Sequence, residues 1–247
     1  MDERMIAALM RGRVLVMTGA GISVASGLPT FYGAGGLYEG LNPYELASPE
    51  AFFSRTATVW NWYLMRIRQG WNAEPNAAHH ALKRLEETAA KLTIVTTNVD
   101  PLHEKAGSHV FKLHGDILRT RCCTCGVGAP LNVEEQPEKV TDDTLPNCPC
   151  GGLLRPDVVW FGESPKGEAI AAVQQNIADA NLVMEVGASG TVSYGITEAA
   201  ATAGLNVVRI NPEPESYPGV HCIAEPAEVA LPRLVDMASA FSLAGPQ

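Results

Sequence analysis

The sequence is poor in basic residues, and it has no long apolar run and no internal repeat. Its 18 lysines and arginines stand against 27 aspartates and glutamates, a formal net charge of −9. This balance argues against a broad phosphate-binding surface for DNA or RNA. No apolar stretch approaches the ~18 residues of a membrane-spanning helix, and the first residues lack the pattern of a secretory signal. We therefore expect a soluble cytoplasmic protein with neither a nucleic-acid nor a membrane partner.

The order of apolar and polar segments predicts an α/β protein. With 247 residues, 46% of them hydrophobic, the chain can build one large core and carry a smaller module. Strands predicted at 14–17, 92–95, 182–186 and 207–210 alternate with helices near 2–10, 77–90, 168–178 and 195–203. Such alternation predicts a Rossmann-like parallel sheet, with ligands at the carboxyl ends of its strands.

Two segments interrupt this alternation. Residues 34–76 are rich in turns and include a Trp-rich helical segment near 58–69, whereas residues 119–156 contain closely paired cysteines. We predict a large domain formed by residues 1–33, 77–118 and 157–247, beside a small domain formed by the helical insert 34–76 and the cysteine module 119–156.

Four of the six cysteines form two close pairs. Two residues separate Cys122 from Cys125, one separates Cys148 from Cys150, and 22 lie between the pairs. Four thiolates at such spacing are typical of tetrahedral Zn²⁺. No water-activating carboxylate accompanies the pairs, which favours a structural zinc site over a catalytic one. The remaining cysteines, Cys123 and Cys222, are predicted to be free thiols.

Polar residues follow each predicted strand, where a ligand of a parallel sheet would bind. The candidates are Gly19, Ala20, Gly21, Asn98, Asp100, His114, Gly187 and Ser189. The two glycines of the first turn are weak evidence for a nucleotide, because a tight strand-to-helix turn explains them equally well. A lone histidine is more often structural than catalytic. His114 is a candidate because the strand before it is expected to end at the same edge of the sheet as the strands before Gly19, Asn98 and Gly187.

Seven segments resemble, in order, those of the sirtuin (Sir2) family. They are Gly19–Ser23, Ser26–Phe31, Asn98–His103, Lys112–Gly115, the cysteine pairs, Val159–Glu163 and Asn211–Glu213. The resemblance covers nearly the whole chain and implies a bacterial NAD-dependent protein-lysine deacylase that also binds Zn²⁺. It further implies that an acyl-lysine protein or peptide is the substrate, and that the products are free lysine, nicotinamide and O-acyl-ADP-ribose.

The resemblance also implies roles for individual residues. Asn98 and Asp100 would hold the nicotinamide carboxamide, His114 would be the general base for a ribose hydroxyl, and Phe31 would shield the reaction from water. The backbone of Val159, Trp160, Phe161, Gly162 and Glu163 would pair with the substrate as an added strand. Further implied cofactor-binding positions are Gly19, Ala20, Gly21, Ser23, Thr30, Tyr32, Thr97, Gly187, Ala188, Ser189, Asn211, Glu213 and Ala227.

Tyr63 and Arg66 carry a separate signal for the acyl group. They stand three residues apart in a predicted helix and so share a face. In sirtuins that remove succinyl, malonyl or glutaryl groups, a Tyr-x-x-Arg pair holds the acyl carboxylate, which suits the forked guanidinium. The alternative is that Arg66 lies over Trp60 and Trp62 on a solvated helix. The first interpretation predicts a preference for acidic acyl groups over acetyl.

Five residues depart from the sirtuin pattern around the cofactor. Tyr32 replaces an arginine, Thr97 a glutamine and Ala188 a threonine, while Pro101 and Glu185 are unusual at their positions. Glu185 would repel phosphate if it faced the cofactor, and would be harmless if it paired with Arg209 on a neighbouring strand. These departures leave two alternatives to the deacylase: an NAD glycohydrolase or ADP-ribosyltransferase, and a non-catalytic module that binds NAD or ADP-ribose.

Overall fold

The computed structural model describes residues 3–31, 35–37, 39–40, 42–188 and 194–243. The strands are β1 (Arg13–Thr18), β2 (Lys91–Thr96), β3 (Val110–Lys112), β4 (Gly115–Cys122), β5 (Gly128–Pro130), β6 (Leu154–Val158), β7 (Leu182–Val186), β8 (Val207–Ile210) and β9 (Val220–Ile223). The α-helices are α1 (Glu3–Arg11), α2 (Pro49–Ser54), α3 (Thr56–Asn72), α4 (Ala77–Thr88), α5 (Leu102–Lys105), α6 (Gly167–Ile177), α7 (Ile196–Thr202) and α8 (Ala227–Leu243). Within these ranges, none of the helices has the length and apolar character that crossing a membrane requires.

A six-stranded parallel sheet has the order β3-β2-β1-β7-β8-β9. Because successive side chains of a strand point to opposite faces, the buried strands carry apolar residues on both sides. Val14 and Val16 pack with α1, α4 and α8 on one face, while Leu15 and Met17 pack with α6 and α7 on the other. The sheet is therefore covered by helices on both faces, as the alternation of elements predicts.

The second sheet is small and antiparallel, with the order β5-β4-β6. It packs with α2 and α3 around a separate apolar cluster that includes Phe52, Trp60, Tyr63 and Trp160. β4 begins at Gly115 and β6 ends at Val158, so this sheet crosses the domain boundaries predicted at 118 and 156. The small sheet places the cysteine module next to the helical insert.

The strands predicted at 14–17, 92–95, 182–186 and 207–210 each lie within an observed strand, and the Rossmann-like fold class is confirmed. One local expectation differs. The turn after β1 leads into a 3₁₀ helix, Ala20–Ser26, and not into a regular α-helix. The sequence there contains β-branched and small residues and ends at Gly27, whose φ of 83° is left-handed and stops the helix.

Glu185 faces the interior and not the cofactor side of the sheet. It lies opposite Arg209 in the β7–β8 register, and Arg209 Nε is 2.7 Å from its Oε1. Thr197 Oγ1 donates to Glu185 Oε2 at 2.6 Å, and Glu198 also binds the guanidinium. Burial by itself lowers the pKa of Arg209, but its bonds to Glu198 and Glu185 outweigh burial and raise the pKa. The pairing interpretation of Glu185 is therefore the right one.

Replacing Glu185 with alanine is expected to lower the free energy of unfolding by about 3 kcal/mol, since it leaves a buried guanidinium short of one partner. Glu198 still binds Arg209 in this variant, so the loss of stability is expected to stay near that value. Urea denaturation of the variant and of Glu135→Ala, which removes an exposed acid, would measure the difference. Equal stability of the two variants would contradict this account of the ion pair.

Candidate active site

The carboxyl ends of four neighbouring strands bring the predicted polar residues to one edge of the large sheet. β1 ends before Gly19, β2 before Thr97 and Asn98, β3 shortly before His114, and β7 before Gly187. The order β3-β2-β1-β7 makes these loops neighbours in space. Such an edge is where open α/β sheets bind ligands.

The glycines of the first loop are required by loop packing. A Cβ on Gly19 would lie 2.7 Å from Ala188 Cα, and one on Gly21 would lie 2.7 Å from Gly187 O. The amide of Gly21 donates to Gly187 O at 2.8 Å, and Gly187 adopts a left-handed φ of 59°. The β1 and β7 loops can thus approach only as glycine backbones, which gives the tight-turn interpretation a steric basis.

Asn98, Ser23 and Asp100 form a connected polar cluster. Asn98 Nδ2 donates to Ser23 Oγ at 3.2 Å and to Gly19 O at 3.1 Å, and Ser23 Oγ donates to Asp100 Oδ2 at 3.1 Å. Burial raises the pKa of Asp100, although the Leu102 amide that donates to its Oδ1 opposes this. The side-chain oxygen Asn98 Oδ1 is buried and has no hydrogen-bond partner among the described residues, and Asn98 lines a pocket together with Phe31, Arg66 and Asp100. The cluster therefore presents an acceptor in need of a donor.

A buried chain of side chains supports Asn98 from below. His103 Nε2 lies 2.9 Å from Thr18 Oγ1, which donates to Thr96 Oγ1 at 2.8 Å. Thr96 Oγ1 also accepts a hydrogen bond from the backbone amide of Asn98 at 3.0 Å. Burial lowers the pKa of His103 to about 3, so the ring stays neutral. Sequence reasoning gave no role to Thr18, Thr96 or His103, because their connection depends on the β1–β2 register.

His114 is half-buried at the end of β3. Burial lowers its pKa below the ordinary value, and a hydrogen bond from the ring to the Thr97 backbone partly opposes this. The ring is therefore neutral at pH 7 and able to accept a proton. Its Nε2 lies 2.6 Å from the hydroxyl of Tyr194, a residue that sequence reasoning did not consider.

Tyr63 and Arg66 lie together on the inward face of α3. The Arg66 guanidinium stacks on Trp62, with Cζ 4.6 Å from the ring centroid, and is 5.0 Å from the centroid of Phe31 and 5.6 Å from that of Tyr63. Arg66 is 9% exposed, so it does not lie on a solvated face, although it does stack on Trp62, one of the two tryptophans of the alternative interpretation. Among the described residues, no carboxylate comes within 4.0 Å of its charge. Tyr63 Oη accepts from Trp160 Nε1 at 2.9 Å, and burial raises its pKa.

The segment that follows β6 contacts both His114 and Tyr63. The amide of Val159 donates to His114 O, and that of Phe161 donates to Ala47 O. The Trp160 amide donates to the Glu163 carboxylate, which also binds the guanidinium groups of Arg155 and Arg121. These three amides are engaged within the protein, and so is the Trp160 carbonyl, which accepts from the Glu163 amide at 3.0 Å. Gly162 has a left-handed φ of 87° and forms the turn between Trp160 and Glu163.

Other predicted cofactor residues occupy varied positions. Thr97 is buried, and its hydroxyl donates to Thr18 O at 3.3 Å, so it is turned away from solvent. Ala188 is buried and its carbonyl accepts from Asn211 Nδ2 at 3.2 Å, while Glu213 is exposed. The other positions are Ala20 and Thr30, which are half-buried, and Ala227, which is buried at the start of α8. Tyr32 and Ser189 lie outside the described residues.

Cys122, Cys125, Cys148 and Cys150 converge at one point. Their Sγ atoms all lie within 4.8 Å of one another, with Cys122 and Cys150 at 3.5 Å and Cys125 and Cys148 at 3.7 Å. Four Zn–S bonds of ~2.3 Å in a tetrahedron place the sulfurs about 3.8 Å apart, so the donor set fits Zn²⁺. The amides of Cys125 and Thr124 donate to Cys122 and lower the pKa of its thiol to about 6, which favours the thiolate. The cluster can hold the predicted zinc ion.

Glycine is required next to this cluster. A Cβ on Gly152 would lie 2.7 Å from Cys122 Sγ, and Gly151 has a left-handed φ of 85°. Among the described residues Cys123 and Cys222 form no disulfide, as expected for free thiols.

Comparison with known proteins identifies the family. The model of the Sir2 family matches residues 19–194. An NAD-dependent protein deacylase 2 from Pyrobaculum aerophilum is 44% identical over 90% of this chain and 89% of that protein. An NAD-dependent protein deacylase from Mycobacterium tuberculosis is 40% identical over 91% of this chain and 97% of that protein. The structure of a mutant Sir2 homologue bound to ADP-ribose has a TM-score of 0.88 and 31% identity, and the two chains cover each other completely. The chain belongs to the Sir2 family.

Proposed function

We propose that this protein is an NAD-dependent protein-lysine deacylase that favours acyl groups ending in a carboxylate, such as succinyl and malonyl. The names of its relatives support NAD-dependent deacylation. The acyl preference rests on Arg66, a buried cation with no carboxylate partner among the described residues. The products would be free lysine, nicotinamide and O-acyl-ADP-ribose.

The pocket beside Asn98 suits the cofactor. Asn98 Oδ1 is a buried acceptor that has no partner among the described residues, and a carboxamide is a group that can donate to it. Ser23 accepts a hydrogen bond from the side-chain amide of Asn98 and donates one to Asp100. These bonds fix the orientation of Asn98 Oδ1 before any ligand binds. When bound, NAD supplies an electrophilic ribose carbon and a leaving nicotinamide. Asn98 and Asp100 would orient the carboxamide.

His114 would hold and move the proton. Its ring is neutral at pH 7 because burial lowers its pKa, and the loops of β1, β2 and β7 adjoin it at the same sheet edge. A neutral imidazole can take a proton from a sugar hydroxyl, which makes that oxygen nucleophilic. Phe31, which lines the pocket with Asn98 and Asp100, would exclude water.

Arg66 would supply the acyl preference. Its guanidinium is stacked between aromatic rings, which orient its five N–H donors without supplying an acceptor. A carboxylate at the end of an acyl chain would give this charge the ion-pair partner that it lacks among the described residues, whereas an acetyl group would not. The Tyr63 hydroxyl, held by Trp160, adds a second donor at the same place.

This proposal predicts that a succinyl-lysine peptide has a higher kcat/KM than the same peptide with acetyl-lysine. Arg66→Met keeps much of the packing and removes the charge, so it is expected to lower kcat/KM for the succinyl peptide by about 10- to 100-fold, as for a lost charged hydrogen bond. Mass spectrometry of nicotinamide and O-acyl-ADP-ribose measures both reactions. Arg68→Met is the matched control. Arg68 lies on the same helix as Arg66, but its guanidinium binds backbone carbonyls of residues 136–138.

Equal or better use of the acetyl peptide by the unaltered protein would defeat the acyl preference, while leaving deacylation in place. Nicotinamide release without any acyl-lysine would instead indicate glycohydrolase activity. Saturable binding of NAD without turnover of either peptide would indicate a binding module.

A further inference from the structure

Tyr194 lies against the reacting nitrogen of His114. Its hydroxyl is 2.6 Å from Nε2, and the two rings meet edge to face, with centroids 5.8 Å apart and planes at 72°. The two residues are 80 positions apart in the sequence. Tyr194 follows the β7 loop and immediately precedes the Gly195 cap of α7. The contact therefore joins the β3 and β7 sides of the site.

The tautomer of His114 makes this contact specific. In a neutral imidazole one ring nitrogen carries the proton and the other a lone pair, and Nε2 of His114 has the lone pair in the tautomer that is protonated on Nδ1. Burial raises the pKa of Tyr194, so its hydroxyl keeps its proton and, in that tautomer, donates to the lone pair over the 2.6 Å contact. The lone pair that would accept a ribose proton is thus already occupied by a hydroxyl of the protein itself.

Among the described residues, the hydroxyl of Tyr194 has a hydrogen bond only to His114. Tyr194 has a left-handed φ of 55°, which is unfavourable for a residue with a large side chain, and Gly195 follows with a φ of 69°. Its side chain is 51% exposed, so it gains little from apolar burial. A half-exposed side chain on a strained backbone can be displaced at small cost.

We propose that Tyr194 determines cofactor affinity by competing with the ribose hydroxyl of NAD for Nε2 of His114, an inference that rests on the proposed function. In the empty protein the phenol hydroxyl satisfies the base. In the loaded protein the sugar hydroxyl replaces it, and one neutral hydrogen bond is exchanged for another without transfer of a proton. The phenol is thus a stand-in for the sugar, and each binding event has to displace it.

Titration calorimetry with ADP-ribose tests this competition without turnover. Tyr194→Phe is expected to bind ADP-ribose about 2- to 10-fold more tightly, the range for one net hydrogen bond, and to show a KM for NAD lowered by a similar factor. Tyr194→Gly, which also relieves the left-handed backbone, should tighten binding at least as much. Tyr217→Phe is the matched control, since the hydroxyl of Tyr217 contacts only Thr202 among the described side chains.

The background lacking His114 gives the decisive comparison. If the two hydroxyls compete for that ring, adding Tyr194→Phe to His114→Ala should leave ADP-ribose affinity unaltered. An equal gain in both backgrounds would overturn the proposal, as would weaker binding by Tyr194→Phe. A loss of turnover at unaltered affinity would also overturn it, because the hydroxyl would then belong to the proton path. Failure of deacylation with the predicted affinity changes intact would contradict only the reaction proposed above.

Discussion

Replacing His114 with alanine is expected to lower kcat/KM for acyl-lysine removal by about 10²- to 10⁴-fold, the usual worth of a positioned general base. The ring is neutral at pH 7 and follows β3 at the same edge of the sheet at which Asn98 and Asp100 follow β2. Formation of O-acyl-ADP-ribose, followed by mass spectrometry, measures the loss. His109→Ala is the matched control, because His109 is an exposed histidine immediately before β3, whereas His114 follows that strand.

The pH profile of the unaltered enzyme gives an independent check on the same residue. Because the pKa of His114 is lowered, the base stays deprotonated down to a lower pH than an ordinary histidine of pKa ~6.5. The acid limb of kcat/KM should therefore lie below that pH and disappear in His114→Ala. Full activity of the alanine variant would refute the assignment of the base, and so would an acid limb above pH ~6.5.

Removal of zinc is expected to unfold the small sheet. Structural zinc contributes about 10–16 kcal/mol of apparent binding free energy in zinc-finger peptides, and the segment 119–156 has few apolar residues to compensate for its loss. Elemental analysis should find about one zinc per chain, in keeping with one four-thiol cluster. Chelation should lower the thermal midpoint and cause precipitation.

Two serine variants separate metal binding from general effects at cysteine. Cys125→Ser removes one of the four converging sulfurs and should reduce zinc content and stability together. Cys123→Ser alters an exposed thiol two residues away, which lies outside the cluster, and should retain both. A protein that is free of metal yet equally stable would contradict the structural role of the site.

Local spacing was sufficient to predict much of this molecule. The strands β1, β2, β7 and β8 are recognisable as short, mostly apolar segments: β1 has four consecutive apolar residues, and each of the other three has one polar residue within its apolar run. The three-residue separation of Tyr63 and Arg66 predicts that they share one face of a helix, and both are buried in α3. The cysteine spacing predicts four converging sulfurs, and they converge.

The remaining features depend on tertiary register, which spacing does not contain. Whether Glu185 meets Arg209 is decided by the alignment of β7 with β8, and a shift of one residue would turn the carboxylate to the other face. The contact between Tyr194 and His114 joins distant loops. The glycines of the β1 loop suit either a nucleotide or a tight turn, and only the position of Gly187 reveals the packing that requires them.

The central place of β1 has a consequence for how the chain is made. β1 lies between β2 and β7, and the amide of Arg13 at its start binds Asn181, 168 residues further along. At a synthesis rate of about 5–20 residues per second, roughly 8–34 s separate the emergence of these two residues from the ribosome. Throughout that interval the apolar strand β1 has at least one edge without its neighbouring strand. Newborn copies of this protein are therefore expected to depend on chaperones that shelter such edges until the last third of the chain appears.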